Sequence, residues 1–152
     1  MAGQRSAARL AAVQALYNME VTGNGLKETR SEFESHWIGH EIEGAQYKVA
    51  EIAFFEDILA GVVAAQGPID RLVDQSLAAN WPLARIDSVM RAILRAGAYE
   101  LKERSDVPAR VAIKEYVDVA GAFFGAEEAG MVNAVLDAVA RQCRASEFEA
   151  RS

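Results

Sequence analysis

The sequence predicts an all-α bundle of about seven helices. Three observations carry that expectation: apolar residues recur three and four apart along most of the chain, no run alternates with period two, and all three prolines stand at the starts of elements. At 152 residues, 51% hydrophobic and 25% charged, the chain can bury roughly two thirds of its surface in one core without metal or disulfide.

Taken in order, Leu10, Val13, Leu16 and Tyr17 predict a first helix from Ser6, an N-cap, to about Val21, stopped by Thr22-Gly23-Asn24-Gly25. Phe33 and Trp37 suggest a second from about Lys27 to Ile38, with a loop at Gly39 to Gly44. Val49, Ile52, Phe55, Leu59, Val62 and Val63 form the strongest stripe, on a helix from about Gln46 to Gln66. Gly67-Pro68 ends it and starts a fourth, which Ile69, Leu72, Val73 and Leu77 carry to Asn80 before Trp81-Pro82. Asp87 is placed to cap a fifth helix whose buried face is Val89, Met90, Ile93, Leu94, Gly97 and Leu101. After the break at Asp106-Val107-Pro108, Ile113, Tyr116, Val117, Ala120 and Phe124 make a sixth, which Gly125 terminates. Glu127 and Glu128 favour the positive end of a seventh, whose core positions are Val132, Val135, Leu136, Val139 and Cys143. The tail after Arg144 is polar and is expected to fray.

Charge is uneven. The net charge is -6, yet residues 1–19 carry +2 and residues 81–110 carry +2, against -7 for 20–80 and -3 for 111–152. A polyanion would have to meet the two basic segments while the rest repels it. Arg9 lies about 40° from Arg5 on a helical wheel, so both are expected to flank the apolar stripe and project from the bundle edge. Arg91, Arg95 and Lys102 share a face some 130° from the core stripe of their helix, which is expected to point outward. Solvated surface arginines are the bland alternative for both patches.

Other chemistry finds little footing. His36 and His40 are four apart, but Gly39 interrupts the helix that would pair them, and no further His or Cys completes a metal set. Cys143 has no histidine base at a usable spacing and is read as a small core residue. Adjacent carboxylates such as Glu56 and Asp57 diverge on a helix, and no glycine-rich phosphate loop follows a strand. No enzyme or cofactor is therefore expected. The lone cysteine and the absence of a run near the ~20 apolar residues of a bilayer span point to a soluble cytoplasmic protein. Asn133, an amide between Val132 and Ala134, needs hydrogen-bond partners, either neighbouring backbone or a base edge.

At AVQALY (residues 12–17), LRAGAYELKERSDVPARVAIKEYVDVA and VNAVLD, in that order, the chain resembles the NusB family of bacterial transcription antitermination factors. The resemblance covers nearly the full length. It implies two small helical subdomains, about 1–80 and 81–145, within a single RNA-binding domain over 1–145, followed by a polar tail at 146–152. It implies a non-enzymatic role: binding single-stranded boxA RNA jointly with a small-subunit ribosomal protein acting as NusE, and through it the RNA polymerase elongation complex. By position, Arg5, Arg9, Arg91, Arg95, Met131 and Asn133 fall on the RNA side, and Tyr17 and Met90 on the ribosomal-protein side. The chain departs from the family at Ser6 and Ala7, where some members have arginine, at Met131 for an aromatic, and at Lys114 for asparagine. The loop around Glu127 and Glu128 is one residue shorter than in some members. A protein adapter or homodimer without RNA readout is the alternative. A detached relative of the NusB-like domain of RNA methyltransferases would lack room for a catalytic sheet.

Overall fold

The computed structural model describes residues 2–38, 49–77 and 86–149. These form eight helices: α1 (Ala2–Thr22), α2 (Leu26–Ile38), α3 (Val49–Ala64), α4 (Gln66–Ser76), α5 (Ser88–Glu103), α6 (Ala109–Phe123), α7 (Ala126–Cys143) and α8 (Ala145–Glu149). No strand occurs among the described residues. The loop expected at 39–44, the break at Trp81-Pro82, and the outer ends proposed for the third and fourth helices lie outside them.

Local chemistry sets most boundaries. At the end of α1 the N–H of Gly23 reaches back to Met19 O at 2.9 Å, with Gly23 in the left-handed region (φ 78°) that glycine adopts without strain. The Gly25 N–H donates to Glu28 at 2.8 Å, the return half of a capping box that starts α2. Asp87 caps α5 as expected, accepting from Val89 N–H at 2.8 Å. Gly67 and Pro68 sit inside the first turn of α4, not between helices. The chain turns at Ala65, and α3 and α4 diverge by 84°. Proline is tolerated there because first-turn N–H groups have no partner within the helix.

The buried side chains of α1, α3, α4, α5, α6 and α7 form one continuous cluster. At its centre is α5, which packs against α1, α3, α4, α6 and α7 and buries ten residues from Met90 to Leu101. Small residues permit this crowding. A Cβ at Gly97 would stand 2.8 Å from Leu136 and 3.3 Å from Tyr116, and one at Gly61 of α3 would stand 2.2 Å from the Tyr99 ring.

Three expectations need correction. The first helix starts at Ala2, so Ser6 is no N-cap; its hydroxyl donates to Glu115 of α6. The buried face of α1 is Ala8, Arg9, Ala11, Ala12, Val13, Ala15 and Leu16, while Leu10 and Tyr17 are exposed. Alanine brings α1 close to α3 and α5, while Leu10 and Tyr17 stay at the rim. The tail does not fray at Arg144, because α8 follows it and is anchored there.

Candidate nucleic-acid interface

Arg9 is the largest departure from expectation. It is 2% exposed and makes a bidentate pair with Glu100, Nε to Oε2 at 2.7 Å and Nη2 to Oε1 at 3.0 Å, while Nη1 donates to Glu115 at 3.0 Å. Glu100 is fully buried and also accepts from the Tyr116 hydroxyl at 2.5 Å. Burial disfavours the charge on Arg9, but the hydrogen bonds and charge of Glu100 outweigh it, and the guanidinium pKa is raised. Burial, with the Glu100 charge beside it, holds the Tyr116 phenol well above its ordinary value. Arg9 therefore does not project from the bundle edge. It lies four residues from Val13 and seven from Leu16, within the apolar face rather than beside it. The sequence signal overlooked was Glu100 itself, seven residues from Ile93 on the buried face of α5, where a carboxylate demands a cation.

Arg5, one turn earlier, stays at the surface. Its side chain is 46% exposed, its guanidinium stands 4.6 Å from the Phe54 ring centroid, and Asp106 lies 3.9 Å away. Arg9 and Arg104 approach the same ring at 5.0 and 4.8 Å, so three cations surround one buried phenyl of α3. Arg104, which sequence reasoning missed, binds Asp106 through two parallel hydrogen bonds of 2.9 Å and Asp57 at 3.0 Å. These hydrogen bonds raise the Arg104 pKa and hold the Asp106 carboxyl down at about 2.

Beyond the α5–α6 junction, Pro108, Lys114, Asn133, Asp137, Arg141 and Glu147 help line an open cleft of about 820 Å³ between α6, α7 and α8. Asn133 is exposed there, whereas Met131 is half-buried against the core. Lys114 is exposed and donates to Asp118 at 2.9 Å.

The second basic patch is elsewhere. Arg91 pairs with Glu20 at 2.7 Å and Arg95 with Asp70 at 2.7 and 2.9 Å, and each side chain is 15% exposed. Arg91 and Arg95 do not point outward, because α1 and α4 cover the central helix on that side, whereas Lys102 near its C-terminal end is exposed as expected. Arg5 and Glu20 are fifteen residues apart on α1, about 22 Å along its axis. The two patches are thus not brought together. Met90 is 3% exposed and packs in the core, so its side chain offers no partner-facing surface, as its spacing to Ile93 and Leu94 requires. Tyr17 is exposed, in line with Leu10 and Val21 on the outer face of α1.

Cys143 is half-buried against the core, and burial pushes its thiol pKa up, away from nucleophilic use. Among the described residues no group of three or more His, Cys, Asp or Glu could hold a metal ion, and no single helix is long and apolar enough to cross a membrane.

Comparison with known proteins places this geometry. The model of the NusB family matches residues 6–141. Proteins called Transcription antitermination protein NusB are 63% identical over 147 residues in Rhodopseudomonas palustris (strain BisB18), covering 97% of this chain and 87% of that one. In Bradyrhizobium diazoefficiens such a protein is 58% identical, covering 97% and 89%. The solved structure of T. maritima NusB superposes with a TM-score of 0.78 at 28% identity, covering 95% and 96% of the two chains. A crystal structure of the antitermination factors NusB and NusE with double-stranded RNA shares the fold at TM-score 0.77 and 24% identity, covering 93% and 99%. With the same helical fold, and sequence similarity running nearly end to end, the chain belongs to the NusB family.

Proposed function

We propose that this protein is a transcription antitermination factor that binds the boxA element of nascent ribosomal RNA together with a small-subunit ribosomal protein acting as NusE, and through that complex joins elongating RNA polymerase in the cytoplasm. The role is one of binding, without catalysis. Its main support is the 63% identity, over 97% of the chain, to proteins named for antitermination. In this reading Arg5 contacts phosphate, Asn133 faces RNA from the cleft between α6, α7 and α8, Met131 adds apolar contact from its half-buried position, and Tyr17 meets the ribosomal protein. Arg9 holds α1 in place instead of touching RNA. Contact by Arg91 or Arg95 requires phosphate to exchange with Glu20 or Asp70. Titrating labelled boxA, a scrambled control and a duplex competitor, with and without the ribosomal partner, tests the proposal. Tighter binding of single-stranded boxA with the partner present is expected, and indifference to sequence would refute it.

The exposed stripe of Leu10, Tyr17 and Val21 supports a second reading, a protein adapter or homodimer without RNA readout. Gel filtration with and without the ribosomal partner, alongside the RNA titration, separates the two.

A further inference from the structure

The three guanidinium groups around Phe54 are unequal. Arg9 is committed to two carboxylates inside the protein. Arg104 and Arg5 share Asp106 at the rim, where the carboxylate is 53% exposed. The parallel two-bond contact of Arg104 on Asp106 is the geometry an arginine fork offers equally to a phosphate. At 3.9 Å the Arg5 pair is beyond hydrogen-bond distance, and such exposed pairs exchange at little cost.

We infer that Asp106 occupies the place of an RNA phosphate on the pad formed by Arg5 and Arg104, and that RNA must displace this carboxylate to bind there. The inference rests on the RNA-binding reading above and adds to it a built-in competitor and a second phosphate-contacting residue, Arg104. Because Asp106 stays ionised throughout the neutral range, with its pKa near 2, the competition is permanent. The device suits an acidic protein: an RNA must contribute contacts beyond charge before the pad opens to it.

The test is Asp106→Asn, titrated with a labelled boxA oligonucleotide in the presence of the ribosomal partner. Glu32→Gln, an exposed acid on α2, controls for net charge. Asp106→Asn is expected to bind about two- to fivefold tighter than wild type. Its salt dependence should steepen by up to about one ion. The gain should disappear in an Arg5→Ala background. Thermal melting confirms folding, and Asp106→Ser, also suited to this turn, replaces the asparagine variant if that one unfolds. A folded Asp106 variant that binds no tighter than Glu32→Gln overturns the inference and leaves the RNA-binding reading standing. Failure of wild type and Asp106 variants alike to bind boxA overturns both, whereas binding by the variants alone supports the competitor.

Discussion

Arg9 and Glu100 put two opposite charges where the helical pattern calls for apolar side chains, and each makes the other tolerable. Removing one partner leaves an uncompensated charge in the core, so Arg9→Ala is expected to destabilise the protein by about 3–5 kcal/mol in urea unfolding. The double variant Arg9→Met with Glu100→Gln should recover most of that loss, since glutamine keeps an acceptor for the Tyr116 hydroxyl. A double variant as unstable as the single one would show that the charges themselves are required. At the rim the same residue types behave differently. Asp106 has its pKa lowered from 3.8 to about 2, so its pairing contributes stability that is present above pH 4 and lost as pH falls toward 2. Solvent screening limits that contribution to ~0.5 kcal/mol. Thermal melts of Asp106→Asn should accordingly fall less steeply with acidification over that interval than those of wild type, and parallel curves would show that the pair contributes nothing. Spacing marked Arg5 and Arg9 as one patch. What separates them is a carboxylate ninety-one positions away, which no local pattern of α1 announces.

Individual helices were more legible than their edges. Periodicity located the seven longer ones, and Asp87, Gly23 and Pro108 acted as the punctuation their chemistry predicts. The short α8 was missed because its anchor is not local. Arg144, 7% exposed, donates to the carbonyls of Leu101 at 2.8 Å, Val107 at 2.9 Å and Arg104 at 2.6 Å, satisfying acceptors left over where α5 ends. Glu147 completes the strap by accepting from the Ala109 N–H at 3.0 Å at the start of α6 and from Arg144 at 2.5 Å, which draws its pKa down. Arg144→Ala should therefore cost about 3 kcal/mol and expose the α5–α6 junction to hydrogen exchange. Arg144→Lys should restore only part of that, because an ammonium cannot span the same carbonyls. A full rescue by lysine would reduce the role to charge alone.

Across the whole molecule, Arg5 and the Arg91–Arg95 patch lie about 22 Å apart along α1 and differ in kind, while Arg104 of the second basic segment joins Arg5 at Phe54. Arg5 sits half-exposed on its pad, whereas Arg91 and Arg95 tie α5 to α1 and α4. Arg5→Ala is expected to lower the salt slope of boxA binding by about one ion with little change in melting temperature. The pair Arg91→Ala and Arg95→Ala should lower the melting temperature instead, since each truncation leaves a partly buried carboxylate without its cation. The reverse pattern would move the phosphate contacts to α5. Sequence alone determined the all-α class, the positions of the longer helices and the basic segments, because hydrophobic period, capping chemistry and charge are properties of neighbours along a chain. Only tertiary structure decided which arginines reach solvent. Burying a guanidinium depends on whether a carboxylate from a distant helix meets it, and that is settled when α1, α5 and α6 pack together.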